Sequence, residues 1–599
     1  MSRQAHKQKQ KRPGRNPKQQ RQVIGLAIAA AIFGLVFCGI ITVSIGNWIG
    51  ARFGNDQAEE PQQQQLIWSA ESAELTLAAS PLMAPVLEKL AADFNTQSER
   101  TPDGEAMTVQ IVALEPAKMI EAALQRPNFQ AISPDSSLWI DRLESSWQQQ
   151  HSQERQEGVV PVGQQRTSGQ LRYAVSPVGI VAWESVAHDL GWPDQAVGWE
   201  TIQQKATADP NFKWNHASTD TASGLLATLA EFYAGSGLTR GLTEEAATAQ
   251  STLDYVRAVE STVRFYGEGE EVILQRLQEE GHNFLDAFVA QERVVIEWNR
   301  QNPTDRLVAI YPAEGALWTD HPLALLELGA PSDDLAVTDN QRLTYNAFAD
   351  YLLNSAAQSA LLNAGYRPAD LRIDLDSGES PFANSDAVDW RQPQTTLQMP
   401  PPAVVEVVQN SWYYTKRPTN VYLVVDTSGS MAEGNKLRST KEALRAFVEQ
   451  IKGTRDQVGI VDFASGIKGF TPLRPLDESV RTDLLSQIDE MDANGGTALV
   501  DAVYDTANDL LVKGDSEAIN AVVVMTDGQE NESGRTLTDI QRLIGSSAAQ
   551  RLVIFTVAFG SDADEGLLQS LAEIGEGQMR RANETDIEEL YRIISTYFY

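Results

Sequence analysis

The stretch VYLVVDTSGSM, residues 421–431, joins an apolar segment to a run of oxygen-bearing side chains. Its first five residues are typical of a buried strand, because β-branched and aromatic residues pack well on a sheet. Asp426, Ser428 and Ser430 then place a carboxylate and two hydroxyls at alternate positions, and Gly429 permits a tight turn between the hydroxyls. The stretch predicts a buried strand that ends in a polar loop.

Similar apolar, β-branched runs recur towards the carboxyl terminus, and segments of helical periodicity separate them. This alternation predicts a doubly wound α/β domain over residues 417–599, with a parallel sheet buried on both faces. The predicted strands are 421–425, 457–464, 519–527, 551–560 and 578–581. The predicted helices begin at 436 and 587 and also cover 477–490, 498–512, 536–546 and 564–573.

Two further loops of this domain carry oxygen donors where strands end. Ligands of open α/β sheets bind beyond the carboxyl ends of the strands, which is where we expect Thr497 and Asp527. Donors that are all oxygen suit a hard cation, Mg²⁺ first, with Mn²⁺ or Ca²⁺ as alternatives. The predicted metal ligands are Asp426, Ser428, Ser430, Thr497 and Asp527.

The hydroxyl ligands decide what such a site does. They bring no formal charge, so if they are the direct ligands and the aspartates act partly through water, a bound ion keeps much of its positive charge. It then attracts an Asp or Glu carboxylate of a protein partner. Taken alone, residues 426–430 also fit an Asx turn followed by a helix cap. The two other loops favour the metal site over that interpretation.

These three loops resemble the metal-ion-dependent adhesion site of the von Willebrand factor A domain family. The resemblance covers about residues 417–599. It implies a doubly wound sheet, Mg²⁺ at the strand tips and protein binding through a metal-bridged carboxylate. The family also includes subunits that work with AAA+ ATPases, so a non-catalytic chelatase-like subunit is an alternative, which an extracellular location disfavours.

Residues 73–372 resemble the two-lobed periplasmic solute-binding proteins, through LTLAASPLMAPVLEKLAADFN, HASTDTASGLLATLAEFYA, AIYPAEGALWTDHPLALL and AQSALLNAGYRPAD. That fold implies a cleft between two α/β lobes. We predict strands at 171–183 and 293–299 and helices at 222–234 and 345–365. The candidate cleft residues are Ser80, Ser133, Asp135, Thr219, Thr221, Ser223 and Glu297, the last at the end of a predicted strand. Capping or ordinary loop polarity is the alternative role for each.

The amino terminus predicts a membrane anchor. Residues 1–22 form a basic tail with eight Lys or Arg and no acid, and residues 23–48 are uncharged and long enough to span a bilayer. The positive-inside rule then leaves the tail in the cytoplasm and the rest of the chain periplasmic or extracellular. A cleaved signal peptide is the alternative. Polar linkers are predicted at 49–72 and at 373–416, the second with one helix near its end.

Charge and residue counts exclude several function classes. The net charge is −33, and the chain beyond the basic tail carries 40 basic and 81 acidic residues, so nucleic acid is not an expected partner. Cys38 is the single cysteine, and the six histidines show no metal-ligand spacing. GSMAEGNK, residues 429–436, approaches a phosphate loop, but Asn435 breaks the required Gly-Lys pair.

The sequence therefore predicts a single-pass, membrane-anchored binding protein without catalytic activity. Its A domain is expected to bind Mg²⁺ and a partner carboxylate, and its upstream domain an unidentified solute. A solute receptor of a transport system is the alternative with the same architecture.

Overall fold

The computed structural model describes residues 72–152, 165–327, 337–546 and 551–598, apart from positions 268, 379, 384, 514 and 516. The predicted basic tail, membrane span and all but the last residue of the first linker lie outside these ranges. Among the described residues, no helix has the length and apolarity needed to cross a membrane. The described residues belong to one compact unit.

Strands and helices alternate through slightly more than the first half of the described chain. The strands are β1 (Glu74–Ala79), β2 (Thr108–Ala113), β3 (Ala131–Ser133), β4 (Thr167–Arg172), β5 (Ala174–Trp183), β6 (Trp214–Asn215), β7 (Ala287–Gln291), β8 (Leu307–Ile310), β9 (Trp318–Thr319), β10 (Pro322–Leu326) and β11 (Arg367–Pro368). The helices are α1 (Ala84–Thr96), α2 (Pro116–Ala123), α3 (Ser137–Gln150), α4 (Glu184–Asp189), α5 (Trp199–Ala208), α6 (Ala222–Ser236), α7 (Glu244–Thr248), α8 (Gln250–Glu260), α9 (Glu270–Glu280), α10 (Glu292–Gln301), α11 (Asp339–Leu352) and α12 (Ser355–Asn363).

These elements form two α/β lobes. The first lobe has the sheet order β2-β1-β3-β10-β4, and the second has β11-β5-β7-β6, with β8 and β9 also paired to β5. The chain passes from the first sheet to the second at Tyr173, between β4 and β5. It returns at Asp320 and His321, between β9 and β10. Residues at these crossings therefore lie where the two lobes meet.

Three sequence predictions for this region are corrected. The predicted strand at 293–299 is wrong, because these residues lie in α10, whose apolar side chains occupy one helical face. The predicted strand at 171–183 is two strands, β4 and β5, in different sheets. The predicted helix at 345–365 is two helices, and Asn354 caps the second by accepting from the Ala357 N–H at 2.8 Å.

The carboxyl-terminal domain is a single sheet between layers of helices. Its strands are β12 (Thr419–Asp426), β13 (Gln457–Phe463), β14 (Ile467–Pro475), β15 (Ile519–Thr526), β16 (Leu552–Phe559) and β17 (Met579–Ala582). Its helices are α14 (Lys436–Gln450), α15 (Glu478–Glu490), α16 (Leu499–Lys513), α17 (Leu537–Gly545), α18 (Glu565–Ile574) and α19 (Ile587–Ser595). The sheet order is β14-β13-β12-β15-β16-β17, with central strands buried on both faces, as predicted.

The edge strand β14 was not predicted. It pairs antiparallel with β13, whereas the other neighbouring strands of this sheet run parallel. Its side chains are exposed or half-buried throughout, so the segment lacks the apolar run that identified the other strands.

The predicted linker at 373–416 is packed against the second lobe. Phe382 and Val388 are buried in the same apolar core as β5 and β7, and helix α13 (Pro402–Thr415) confirms the predicted helix. Immediately after α13, Arg417 donates from Nη1 to the carbonyl of Val263 at 2.8 Å. The second lobe and the carboxyl-terminal domain therefore share one continuous core.

Candidate functional site

The carboxyl edge of the last sheet brings three loops together. Asp426 ends β12, and Asp527 follows β15, which is the parallel neighbour of β12. The chain leaves β12 towards β13 on one side, and β15 lies on the other side. Crevices of this kind hold ligands in open α/β sheets. All five predicted metal ligands lie at this edge, and we call them the strand-tip cluster: Asp426, Ser428, Ser430, Thr497 and Asp527.

Hydrogen bonds connect members of the strand-tip cluster. Asp426 Oδ1 accepts from the backbone N–H of Ser428 at 2.7 Å, and Oδ2 accepts from the hydroxyl of Thr526. The hydroxyl oxygens of Ser428 and Ser430 lie 3.1 Å apart. Ser430 Oγ donates to Asp527 Oδ1 at 2.7 Å. Because both aspartates and both serines are held by neighbours, their oxygens have fixed positions.

The backbone at Gly528 leaves a space into which three oxygens point. A Cβ added there would lie 3.3 Å from Thr497 Oγ1, 3.6 Å from Ser430 Oγ and 3.9 Å from Asp426 Oδ2. Oxygen donors that converge on one point, with no nitrogen or sulfur among them, fit a hard divalent cation. Burial raises the pKa of Asp426.

Thr497 is positioned by a neighbouring loop. Its N–H donates to Asn531 Oδ1 at 3.0 Å, and its carbonyl accepts from the Asn531 N–H at 3.1 Å. On the other side, the Gly429 N–H donates to the carbonyl of Gly495 at 3.0 Å. These bonds fix the loop that carries Thr497 against the loop that carries the serines.

Sequence reasoning missed Lys436 at this site. Its Nζ donates to Asp527 Oδ2 at 2.7 Å, and its side chain is 16 % exposed. Burial by itself lowers the pKa of Lys436, but Asp527 outweighs this effect, so the pKa is raised. The signal was present in GSMAEGNK, which the sequence analysis weighed only as a phosphate loop.

The candidates of the first lobe lie where its strands end. Ser80 follows β1, Ser133 ends β3, and Asp135 lies two residues beyond. Ser133 Oγ and Tyr173 Oη form a hydrogen bond at 2.7 Å, next to the crossing between lobes. The Ser80 side chain lies next to the Asp135 carboxylate and interacts with it, but Ser80 Oγ and Asp135 Oδ1 are buried without a hydrogen bond of good geometry. Burial raises the pKa of Asp135 to about 6.

Among the candidate residues of the second lobe, one caps a helix, two are buried next to it and one is partly exposed on another helix. Thr221 is the N-cap of α6, since its hydroxyl accepts from the Gly224 N–H at 3.1 Å. Thr219 and Ser223 are buried beside it. Glu297 does not end a strand: it lies on α10, is 40 % exposed and pairs with Arg293 one turn earlier. The reason given for Glu297 as a cleft residue is therefore wrong.

Other polar groups near the lobe crossings were not predicted. His321 Nε2 lies 3.0 Å from Gln291 Oε1, and the Gln291 N–H donates to Glu270 Oε1 at 2.9 Å. Burial lowers the pKa of His321 to about 3 and raises the pKa of Glu270 to about 8. His321 also has a left-handed φ of +33°. Among these groups, only Gln291 had a signal in the sequence. It is the polar residue that ends an apolar run, and it lies at the end of β7.

Two family models match the chain. Residues 420–595 match the von Willebrand factor type A domain, and residues 75–367 match the bacterial extracellular solute-binding protein family.

Several known proteins are similar to parts of the chain. The inter-alpha-trypsin inhibitor heavy chain H2 of Mesocricetus auratus is 26 % identical over 192 residues, which are 30 % of this chain and 20 % of that protein. The protein YfbK of Escherichia coli strain K12 is 25 % identical over 193 residues, covering 31 % of this chain and 32 % of YfbK. Among solved structures, the sulfate-binding protein SubI of Mycobacterium tuberculosis is 17 % identical, covers 50 % of this chain and 88 % of SubI, and has a TM-score of 0.35. The match with the heavy chain therefore spans about a fifth of that relative.

Proposed function

From a chain that joins a bacterial solute-binding-protein domain to a von Willebrand factor type A domain, we propose a membrane-anchored, extracytoplasmic binding protein. In this proposal the strand-tip cluster holds Mg²⁺, with Mn²⁺ or Ca²⁺ as substitutes, and binds a carboxylate of a protein partner. The anchor is the uncharged segment 23–48, which leaves the basic tail in the cytoplasm. The protein is a binding module and not an enzyme.

The convergence of oxygens around Gly528 supports this proposal most directly. Asp426 and Asp527 are fully buried, whereas Ser430 is partly exposed, so the cluster is open to a partner on the serine side. Mg²⁺ supplies a positive charge there and prefers six oxygen ligands. The hydroxyl groups of the two serines and Thr497 would act as uncharged ligands. The ion would therefore keep positive charge that attracts an incoming Asp or Glu side chain.

The test is a pull-down of envelope proteins with the full-length protein as bait. We expect a partner that is retained with Mg²⁺, is lost with EDTA and is lost with Ser430→Ala. Ser561→Ala is the matched control, because Ser561 follows β16 at the same edge of the sheet and its hydroxyl hydrogen-bonds only to Asp562 among the described residues. Partners that are retained equally with EDTA and with Ser430→Ala would overturn the proposal.

A second candidate function is supported by the interface between the lobes. Buried polar atoms without partners of good geometry cluster at its crossings: Ser80 Oγ, Asp135 Oδ1, Ser176 Oγ and His321 Nδ1. An unsatisfied buried polar group costs about 1–3 kcal/mol, so a bound solute that satisfies several of them gains binding energy. Burial raises the pKa of both Asp135 and Glu270, and the charge of Asp135 adds to the effect on Glu270. A cationic group bound between them would stabilise both carboxylates, so this alternative favours a solute with a cationic group. In this alternative the protein is the solute receptor of a transport system.

The solute-receptor function is tested by small molecules that copurify with the full-length protein. Mass spectrometry after denaturation is expected to release a cationic solute from the parent protein, and about tenfold less from Asp135→Asn, because a buried charge partner is lost. Equal recovery from the two proteins, or no solute in either, would remove this candidate.

A further inference from the structure

A second cluster of potential metal ligands lies in the second lobe. His216 follows β6, Glu231 lies on α6, and Glu260 ends α8. All three side chains are fully buried, and one ligand atom from each lies within 4.8 Å of the others. The three residues are separated by 15 and 29 positions along the chain, so only the fold brings them together.

His216 presents a metal-binding nitrogen to this cluster. Its Nδ1 lies 2.9 Å from the carbonyl oxygen of Ala217, which can only accept, so Nδ1 carries a proton. The other nitrogen, Nε2, lies 3.3 Å from Glu260 Oε1. A histidine that donates from one nitrogen to a backbone carbonyl presents the other to a metal.

Glu260 is held in place by two donors. Its Oε2 accepts from the Tyr266 hydroxyl at 2.7 Å, and its Oε1 accepts from the indole N–H of Trp412 on α13. The Tyr266 oxygen in turn accepts from the Arg417 N–H at 2.9 Å. Hydrogen bonds of this kind orient ligating carboxylates in metal sites. They also connect the cluster to the start of the A domain.

Glu231 is the unexplained member of the cluster. Its carboxylate oxygens accept no hydrogen bond of good geometry from a donor among the described residues, although the side chain is fully buried. Its polar neighbour is the carboxylate of Glu260, which lies close enough to share a proton with it. Burial and the nearby charge of Glu260 raise its pKa well above the usual range. Two buried carboxyl groups in contact require either a shared proton or a cation between them, and His216 beside them supplies a nitrogen ligand for a cation.

We propose that His216, Glu231 and Glu260 bind a divalent transition metal ion, with Zn²⁺ as the best-fitting ion. His216 Nε2, one oxygen of Glu260 and one oxygen of Glu231 would be the three protein donors, and a water would take the fourth position. The ion neutralises two buried carboxylates. Bonds of about 2.0–2.2 Å in a tetrahedron place neighbouring donors about 3.3–3.6 Å apart. Nε2 of His216 lies 3.3 Å from Oε1 and 3.4 Å from Oε2 of Glu260, which agrees with this spacing and, when no ion is bound, with a direct hydrogen bond.

The proposed ion has a structural role. All three ligand side chains are fully buried, so substrate cannot reach the ion, and this favours a structural role. Because Glu260 also binds Trp412, and Tyr266 binds Arg417, the ion would fix the joint between the second lobe and the A domain. The site differs from the strand-tip cluster in its donors and in its burial.

The test measures metal content in full-length protein that carries Asp426→Asn, so that the strand-tip cluster does not contribute. After dialysis, elemental analysis is expected to find about one equivalent of a transition metal per chain. Glu231→Gln, which conserves shape, is expected to lower this content more than about tenfold. Glu314→Gln is the matched control, because Glu314 lies close enough to influence Glu231 but is outside the ligand set.

Thermal unfolding and cobalt spectra provide separate readouts. If the ion is present, Glu231→Gln lowers the midpoint temperature, since a ligand is lost. Without an ion, the same substitution raises it, because repulsion between two buried carboxyl groups is relieved. Co²⁺ in place of the native metal is expected to give the visible absorption of four-coordinate cobalt, absent in Glu231→Gln. A parent without transition metal after growth in added zinc, or unchanged metal content in Glu231→Gln, would overturn the proposal.

Discussion

The buried carboxylate oxygens of the strand-tip cluster in the A domain are hydrogen-bonded, whereas several buried oxygens at the interface between the two lobes are not. In the cluster, Asp426 and Asp527 each accept hydrogen bonds at both carboxylate oxygens. At the lobe interface, Ser80 Oγ and Asp135 Oδ1 remain without partners of good geometry. Both regions lie at the carboxyl ends of strands, so topology alone does not explain the difference.

The strand-tip cluster is a prearranged site, whereas the polar groups at the lobe interface need a ligand to complete their hydrogen bonds. Donors fixed by hydrogen bonds lose little conformational freedom when an ion binds. Unpaired buried groups instead destabilise the unliganded protein by about 1–3 kcal/mol each, which a ligand returns on binding. We therefore expect substitutions in the cluster to affect binding and substitutions at the lobe interface to affect stability.

The largest effect is expected from Asp426→Asn. This substitution keeps the shape of the side chain but removes the charge at the centre of the strand-tip cluster. Mg²⁺ or Mn²⁺ affinity, measured by calorimetry, should fall more than about 100-fold, beyond the 10–100-fold typical of the partners that orient metal ligands. The midpoint of thermal unfolding should rise or stay unchanged, because the buried carboxylate has a raised pKa.

Asp462→Asn is the control for this first prediction. Asp462 lies on β13, the other neighbour of β12, and is nearly as buried as Asp426. Among the described residues, no hydrogen bond joins its side chain to the strand-tip cluster. Equal loss of metal affinity in the two variants would show that the cluster is not the binding site.

The cluster was predictable because its signals are local. Asp426, Ser428 and Ser430 are adjacent in the sequence, and Asp527 ends a strand whose apolar run is unmistakable. Parallel pairing then places Asp426 and Asp527 at one edge of the sheet. Thr497 does not follow a strand as expected, since it lies in the loop between α15 and α16, and only the resemblance to the family pointed to it.

The remaining features depend on tertiary contacts that leave no mark in one sequence. The helix α10 was mistaken for a strand because VVIEW is an apolar run of a length that both structures share. His216 and Glu260 are 44 residues apart, and no sequence pattern between them predicts their contact. Lys436 was visible, but its ion pair with Asp527 requires the loop geometry.

The second prediction concerns Asp135, where the pKa is raised from 3.8 to about 6 in the folded protein. The folded state therefore holds this proton more tightly, and stability falls as the pH rises from about 4 to about 6. The loss is about 3 kcal/mol above that range. Asp135→Asn removes it, so the variant should be more stable than the parent at pH 8 and equal to it near pH 4, as measured by urea unfolding.

Asp320→Asn is the control for the pH dependence. Asp320 lies at the other lobe crossing and accepts from the Ser137 N–H at 2.7 Å. Asparagine keeps an acceptor there, and the variant should not gain stability at pH 8. A parent and an Asp135→Asn variant with parallel pH profiles would show that the lobe interface does not carry this cost.

The smallest effect is expected from Lys436→Met, and its sign distinguishes two roles. The ammonium lies 2.7 Å from Asp527 Oδ2, so it competes with a metal ion for the same carboxylate and repels the ion's charge. Removing it should raise Mg²⁺ affinity about fivefold to tenfold, or about 1 kcal/mol, the size of an ion interaction close to solvent.

Lys441→Met on the same helix is the control, since Lys441 donates to the carbonyl of Asp489 and not to the cluster. If Lys436 instead holds Asp527 in its binding orientation, the affinity falls in Lys436→Met and stays constant in Lys441→Met. The cluster would then be prearranged by a cation of the chain itself, and its contrast with the lobe interface would rest on Lys436 rather than on the serines.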